Sequence, residues 1–141
     1  MTLQPLHATC VALFGPAGWT GVLLTGASGS GKSDLALRLI HGGARLVADD
    51  ATLVWRDGEA LHAACPDTIA GRMEVRGLGI VAAPSRTVVR LGLVVACVGH
   101  PPERLPEPQV WSRDGVDLAA LDVDARAPSA AAVVRHAVRR L

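Results

Sequence analysis

The residues with the clearest chemical capacity form one glycine-rich segment near the amino end of the chain. Residues 26–33 read G-x-x-x-x-G-K-S, between a strongly apolar run and a stretch with helical periodicity. Glycines let backbone N–H groups face phosphate oxygens, and the amino end of a helix adds partial positive charge. In this pattern the lysine reaches the β- and γ-phosphates, and the final hydroxyl ligates Mg²⁺. The pattern predicts a nucleotide site formed by Gly26, Ala27, Ser28, Gly29, Ser30, Gly31, Lys32 and Ser33, with ATP and Mg²⁺ as ligands.

The basic composition supports this interpretation over a chance glycine-rich turn. Thirteen of the fourteen basic side chains are arginine, and Lys32 is the single lysine. A compact ammonium fits among phosphate oxygens where a wide, planar guanidinium does not.

Two carboxylates follow the next short apolar run. Asp49 and Asp50 lie at the carboxyl end of a predicted strand, 16 and 17 residues after Ser33. Adjacent side chains on a strand point to opposite faces, so we expect only one of the two to face the phosphates. Acids at this position beside a phosphate loop bind magnesium or accept a proton, and a solvated acidic turn is the alternative.

A third segment, residues 72–80, combines alternating charge with two close glycines. This pattern predicts a loop whose backbone packs near a ligand. Glu74 is a candidate second metal ligand and Arg76 a candidate phosphate clamp. A salt-bridged surface turn is an equally good interpretation of these residues alone.

Periodicity and turn signals place these segments on a short series of elements. We expect strands at 11–14, 21–25, 45–48 and 88–98, a hairpin of 52–55 and 60–64 around Asp57 and Gly58, and a helix over 32–41 ended by Gly42 and Gly43. Four prolines make 99–109 a loop. Ser129 is expected to cap a last helix, whose apolar stripe is Ala130, Val133, Val134, Ala137, Val138 and Leu141. These elements predict one α/β domain over residues 1–141 with a mixed sheet.

Composition excludes several classes of function. Half of the 141 residues are apolar and the formal net charge is +1, so disorder and purely electrostatic binding of nucleic acid are not expected. The amino-terminal stretch lacks the basic start of a secretory signal, and the longest apolar run is far below the ~20 residues that span a bilayer. We therefore expect a soluble cytoplasmic protein without membrane contact.

The three cysteines are an odd number without a C-x-x-C pair, so a disulfide framework is not expected. His62-x-x-Cys65 and Cys97-x-x-His100 together offer four zinc-type ligands. The alternative is two apolar-run cysteines and two loop histidines at chance spacing.

The three motifs together resemble the catalytic domain of HPr kinase/phosphorylase. The resemblance rests on residues 26–33, then on 45–50, and on a segment similar to the family signature: Met73, Glu74, Val75, Arg76, Gly77, Leu78, Gly79 and Ile80. It runs in order from His7 to about Arg104. Members of this bacterial family phosphorylate a serine of the phosphocarrier HPr and can remove the phosphate again. Their fold resembles the nucleotide domain of phosphoenolpyruvate carboxykinase.

The resemblance implies a role for individual residues. Lys32 and Ser33 match the nucleotide lysine and the magnesium serine, Asp50 the catalytic aspartate, and Glu74 the second magnesium ligand. His7 stands where the family has an active-site histidine. Arg104 resembles the catalytic arginine of a later loop.

The implied function is an ATP- and Mg²⁺-dependent protein-serine kinase. Its partner would be an HPr-like phosphocarrier, and its role would be to regulate phosphotransferase-system carbon or nitrogen metabolism. The resemblance also implies a homo-oligomer, a hexamer in the family. The family's glycine–arginine–asparagine segment, associated with dephosphorylation, is replaced near residues 124–126, which leaves phosphorolysis open. An ATP sensor without turnover and a small-molecule P-loop kinase are the alternatives.

Overall fold

The computed structural model describes residues 3–66 and 69–141. In that part of the chain ten strands and two helices follow one another. They are β1 (Thr9–Gly15), β2 (Gly18–Thr25), α1 (Lys32–His41), β3 (Arg45–Ala48), β4 (Leu53–Asp57), β5 (Ala60–Ala64), β6 (Arg72–Val75), β7 (Gly79–Ala82), β8 (Val88–Val98), β9 (Gln109–Arg113), β10 (Val116–Asp124) and α2 (Ala130–Arg139).

The main sheet is mixed, as the sequence predicts. Its strand order is β3-β1-β2-β8-β10-β9, with the β4–β5 hairpin joined through β5 to β8. β8 is parallel to both β2 and β10, whereas β1 is antiparallel to β2 and β3. The carboxyl ends of β2, β3, β8 and β10 therefore share one edge of the sheet with the amino end of β1.

Alternating side chains of the central strands fill two apolar cores. Val11, Val22 and Leu24 pack with α1 and α2 on one face. Cys10, Ala12 and Leu23 pack on the other face with residues of the β4–β5 hairpin. This two-sided burial accounts for the nearly continuous apolar runs of β1, β2 and β8. Neither helix of the described residues has the length and apolar character needed to cross a bilayer.

Most of the predicted elements are confirmed. α1 covers residues 32–41, and Gly42 and Gly43 follow it. β3, β8 and the β4–β5 hairpin lie where the patterns place them, with Gly58 at positive φ in the turn. The proline-rich connection from β8 to β9 is irregular, as predicted. It ends at residue 108, one residue before the predicted end, because Gln109 already pairs with Ala120 in the sheet.

Two predictions about secondary structure are wrong. Residues 72–80 form a two-stranded hairpin, β6 and β7, because Gly77 and Gly79 at positive φ allow the tight reversal between the strands. Residues 109–124 form β9 and β10, which the sequence analysis missed; Asp114 and Gly115, both at positive φ, make the hairpin turn.

The last helix differs from its prediction in two details. Ser129 is its N-cap residue, but its side chain makes no capping hydrogen bond. The face packed on the sheet includes Ala131, whereas Val133 and Leu141 of the expected stripe are exposed. The helix therefore presents a narrower apolar face to the core than the pattern predicts.

Candidate functional site

The shared sheet edge gathers the predicted site residues. The glycine-rich loop follows β2, Asp49 and Asp50 follow β3, and His7 precedes β1. The extended segment before β1 is fixed by Thr52, because the backbone groups of Leu6 and Thr52 exchange hydrogen bonds of 2.8 and 3.0 Å and Thr52 Oγ1 donates to Ala8 O at 2.8 Å. Topology thus brings His7 within reach of the loop that follows β3.

The glycine-rich loop has a backbone that side chains would disturb. Gly26 has a φ of 140°, and a Cβ there would come within 2.8 Å of the Cys97 carbonyl oxygen on β8. Gly31 has a φ of 97° and is the residue from which α1 begins. The Ser30 hydroxyl is buried, with no hydrogen-bond partner among the described residues. A loop that opens a helix and contains an unpartnered buried hydroxyl suits an incoming phosphate group.

Lys32 is buried inside this loop, with only 5% of its surface exposed. Its Nζ donates to the carbonyl oxygens of Gly26 at 2.7 Å and Ala27 at 3.0 Å. The ammonium therefore sits at the concave side of the loop, where phosphate oxygens could replace these carbonyls as its partners.

Asp49 joins the loop to the strands beside it. Its Oδ1 accepts hydrogen bonds from Ser33 Oγ at 2.7 Å and Thr9 Oγ1 at 3.3 Å, and its Oδ2 accepts one from the Glu74 backbone N–H at 3.3 Å. Only 9% of the residue is exposed. Asp49 is thus a buried carboxylate held by three donors, and it places the β6–β7 hairpin next to Ser33.

Asp50 belongs to a second, solvent-accessible group. Its Oδ1 lies 3.3 Å from His7 Nδ1, and His7 Nε2 lies 3.2 Å from Ser28 Oγ. A carboxylate only accepts, so His7 Nδ1–H donates to Asp50, and Nε2 pairs with the Ser28 hydroxyl. The side chains of His7 and Asp50 are 51% and 69% exposed, so this carboxylate is open to a reacting hydroxyl.

The expectation that only one of the two aspartates faces the phosphates depends on strand alternation. β3 ends at Ala48, and Asp50 has a φ of 64°, so strand alternation does not apply to the pair. Asp50 N–H also donates to Thr9 Oγ1 at 3.1 Å. The resemblance assigns a role to Asp50 alone, whereas sequence position makes both aspartates candidates, and the structure places Asp49 in contact with Ser33.

Other predicted residues are positioned differently. Glu74 has an exposed side chain on β6 and is adjacent to Asp49 through its backbone. Arg76 lies in the exposed turn between β6 and β7. Arg104 is exposed on the loop between β8 and β9 and makes no hydrogen bond or ion pair with any described residue.

The zinc alternative finds no support in the described residues, which contain no group of three or more His, Cys, Asp and Glu side chains able to hold a metal. His62, Cys65, Cys97 and His100 are therefore not gathered into one site. Burial raises the pKa of the Cys97 thiol, against the opposing charges of Lys32 and Arg38. The Cys10 thiol is fully buried, and its pKa is raised strongly for the same reason.

The donor set does fit magnesium. Ser33 offers a hydroxyl and Asp49 a carboxylate, which are hard oxygen ligands of the kind Mg²⁺ prefers. Magnesium in nucleotide sites takes one or two carboxylates and completes its shell with water and substrate phosphates. A single buried carboxylate beside the first turn of α1 is sufficient for that arrangement.

Comparison with known proteins decides the family. The sequence profile described as the HPr Serine kinase C-terminal domain matches residues 2–86, which include the glycine-rich loop, both aspartates and the β6–β7 hairpin. The chain belongs to this family. Arg104 lies outside the matched residues.

Relatives of this HPr serine kinase domain agree with the assignment. The chain is 38% identical over 121 residues to the HPr kinase/phosphorylase of Clostridium tetani, covering 84% of this chain and 38% of that protein. It is 49% identical over 80 residues to the HPr kinase/phosphorylase of Chlorobium limicola, covering 55% of this chain and 23% of the relative. The chain thus spans less than two-fifths of the length of these relatives.

The fold of this HPr serine kinase domain also has a counterpart among solved structures. A structure titled as the Hpr(Ser) kinase/phosphatase from Coxiella burnetii aligns with a TM-score of 0.80 at 24% sequence identity. The alignment covers 97% of this chain and 95% of that one. The mixed α/β architecture is therefore shared along nearly all of the chain.

Proposed function

We propose that this domain binds ATP and transfers its γ-phosphoryl group to a serine of an HPr-like phosphocarrier protein. The proposal rests on the placement of the glycine-rich loop, with buried Lys32, beside the accessible Asp50–His7 pair at one sheet edge. Phosphate-binding groups and a candidate proton acceptor thus border the same space. Membership of the HPr serine kinase domain family and the names of the relatives support the choice of a seryl protein as acceptor.

The nucleotide phosphates would occupy the concave side of the loop. The first N–H groups of α1 have no intrahelical partners and are available to phosphate oxygens. Lys32 would exchange its two carbonyl partners for β- and γ-phosphate oxygens. The buried position keeps water away from this charge and strengthens its attraction to phosphate.

Ser33 and Asp49 would hold magnesium, with Glu74 adjacent as a further oxygen ligand. Bound there, Mg²⁺ neutralises the negative charge of the phosphates during transfer. Asp49 would keep its bonds from Thr9 and Glu74 while Ser33 turns its hydroxyl oxygen to the metal. The three-donor arrangement fixes this carboxylate in place.

Asp50 would act as general base. It takes the proton of the acceptor serine as that oxygen attacks the γ-phosphorus and ADP leaves. The His7 Nδ1–H orients the carboxylate, leaving its second oxygen free for the substrate hydroxyl. In the reverse direction protonated Asp50 would return the proton to the departing serine oxygen while inorganic phosphate attacks, which yields pyrophosphate.

Transfer to a seryl carrier tests the proposal. The protein is incubated with γ-³²P-labelled ATP, Mg²⁺ and an HPr-like carrier, in parallel with a carrier whose acceptor serine is alanine. Label on the carrier that retains its acceptor serine, and none on the alanine variant, supports the proposal. Label on a small molecule would support a metabolite kinase, and ATP binding without any transfer would support a sensor; either result contradicts the proposed function.

A further inference from the structure

The turn after β10 forms one side of the glycine-rich loop. β10, β8 and β2 are parallel neighbours, so the turn and the loop leave the sheet at the same edge. Buried Ala125 lies 3.0 Å from the position that a Cβ would take at Gly31. The turn is therefore packed against the loop, although no motif in the sequence connects the two.

One side chain of this turn holds the loop directly. Arg126 Nη2 donates a 2.7 Å hydrogen bond to the carbonyl oxygen of Gly29. The N–H group of the same peptide unit, that of Ser30, donates to Ala27 O at 3.1 Å. Because a peptide unit is planar, these two bonds fix its orientation from both sides.

The turn itself is anchored, so Arg126 acts from a fixed position. Asp124 Oδ1 accepts from the Arg126 backbone N–H at 3.1 Å, and Asp124 O accepts from Ala127 N–H at 3.0 Å. Arg38 of α1 donates through its guanidinium to the carbonyl oxygens of Ala125 and Ala127. The glycine-rich loop is thus connected to α1 in two ways: by the covalent chain, and by the hydrogen bonds of Arg126 and Arg38 that pass through the turn after β10.

We infer that Arg126 is a positioning residue for nucleotide binding. By holding the Gly29–Ser30 peptide, it keeps the loop in the shape that presents its N–H groups and Lys32 to phosphates before the nucleotide arrives. A loop that already has its binding shape loses less conformational freedom when the nucleotide binds. We therefore expect Arg126 to strengthen the affinity for nucleotide. The inference rests on the proposed function only in taking this loop as the nucleotide site.

The position of Arg126 predicts which nucleotides depend on it. The β-phosphate is common to ATP and ADP, and the loop would cradle it in both. Losing a charged hydrogen bond that is open to solvent should weaken ATP and ADP by similar factors, on the order of 3- to 30-fold.

Calorimetric titration with Mg·ATP and Mg·ADP tests the inference, with thermal unfolding of each variant as a check on folding. Arg126→Ala should weaken both nucleotides alike, and Arg126→Lys should restore part of the affinity because an ammonium can still donate to Gly29 O. Arg90→Ala is the matched control, since Arg90 is exposed near the opposite, amino end of β8.

The outcomes separate the two proposals. If the wild type binds and Arg126→Ala binds equally well, the positioning role is overturned while the nucleotide site stands. A loss confined to ATP also overturns it, because a direct contact to the γ-phosphate would then be responsible. If the wild type binds neither nucleotide, the assignment of the loop fails and this inference fails with it.

Discussion

The hydroxyl of Ser33 donates a 2.7 Å hydrogen bond to Oδ1 of the buried carboxylate of Asp49. The pair connects the first turn of α1 with the end of β3, and Thr9 and the Glu74 backbone complete the donor set of the carboxylate. In the function that we propose, this pair would hold the magnesium ion beside the nucleotide phosphates.

Changing this pair should alter the need for magnesium. Ser33→Ala removes a metal ligand while Asp49 keeps two donors, so the Mg²⁺ concentration for half-maximal transfer should rise at least about tenfold, with unfolding free energy reduced by only about 0.5–1.5 kcal/mol. Magnesium titration of transfer and urea denaturation measure the two effects. Ser112→Ala, which removes a serine–aspartate hydrogen bond on the β9–β10 hairpin, is the control. An unchanged magnesium titration for Ser33→Ala would place the metal elsewhere.

Lys32 should be required for nucleotide binding in a way that another cation cannot replace. Lys32→Ala removes the ammonium inside the loop. Lys32→Arg keeps the charge but puts a wider guanidinium at a buried position, since only 5% of the lysine surface is exposed. We expect both variants to lose ATP binding in calorimetry while circular dichroism shows retained secondary structure. Wild-type affinity in Lys32→Arg would show that charge alone is sufficient and that the confined ammonium is not needed.

The sequence predicted the part of the site that is local along the chain. A helix beginning at Lys32, the glycine-rich turn before it and the strand leading to Asp49 each have a pattern within ten residues, because caps, turns and periodicity act at short range. His7 came from resemblance and Glu74 from the charge pattern of residues 72–80, and the contacts that place them beside Asp50 and Asp49 are tertiary.

What the sequence missed depends on how distant elements meet. Strand alternation does not describe Asp49 and Asp50, because the strand ends at Ala48 and Asp50 has a left-handed backbone. The contact of Arg126 with Gly29 spans 97 residues and follows only from the parallel order of β2, β8 and β10. No local pattern contains that information.

The end of α1 offers a test of stability away from the site. Arg135 donates to the carbonyl oxygens of Arg38 and Leu39 at 3.2 and 3.3 Å, and a Cβ at Gly42 would lie 1.7 Å from Arg135 Nη2. Gly42→Ala should displace the guanidinium and lower the unfolding free energy by about 1–2 kcal/mol. The φ of Gly42 is −90°, so alanine adds no backbone strain.

A double-mutant cycle isolates this contact. In an Arg135→Ala background the same Gly42→Ala change should be neutral, or stabilising by about 0.4–1 kcal/mol through reduced freedom of the unfolded chain. Urea denaturation of the four proteins measures the coupling. Equal destabilisation in both backgrounds would show that Arg135 is not the group displaced.

The cysteines should differ in reactivity. Burial raises the pKa of the Cys10 and Cys97 thiols, so at pH 8 the thiolate fraction of each is below that of an ordinary cysteine, and access of reagent is blocked as well. Cys65 is only partly buried. Iodoacetamide labelling with peptide mapping should modify Cys65 first and reach the other two only after urea unfolding. Early labelling of Cys97 in the folded protein would contradict the packing described for β8.

Intact mass of an HPr-like carrier after incubation with ATP and Mg²⁺ is the decisive measurement for phosphoryl transfer through Asp50, with wild type, Asp50→Asn and the control Asp57→Asn compared side by side. We expect a gain of one phosphate on serine with wild type and Asp57→Asn, and a transfer rate lower by about 10²–10⁴-fold with Asp50→Asn at nearly unchanged ATP affinity. Equal rates for wild type and Asp50→Asn, or no gain in mass with a wild-type protein that binds ATP, would contradict it.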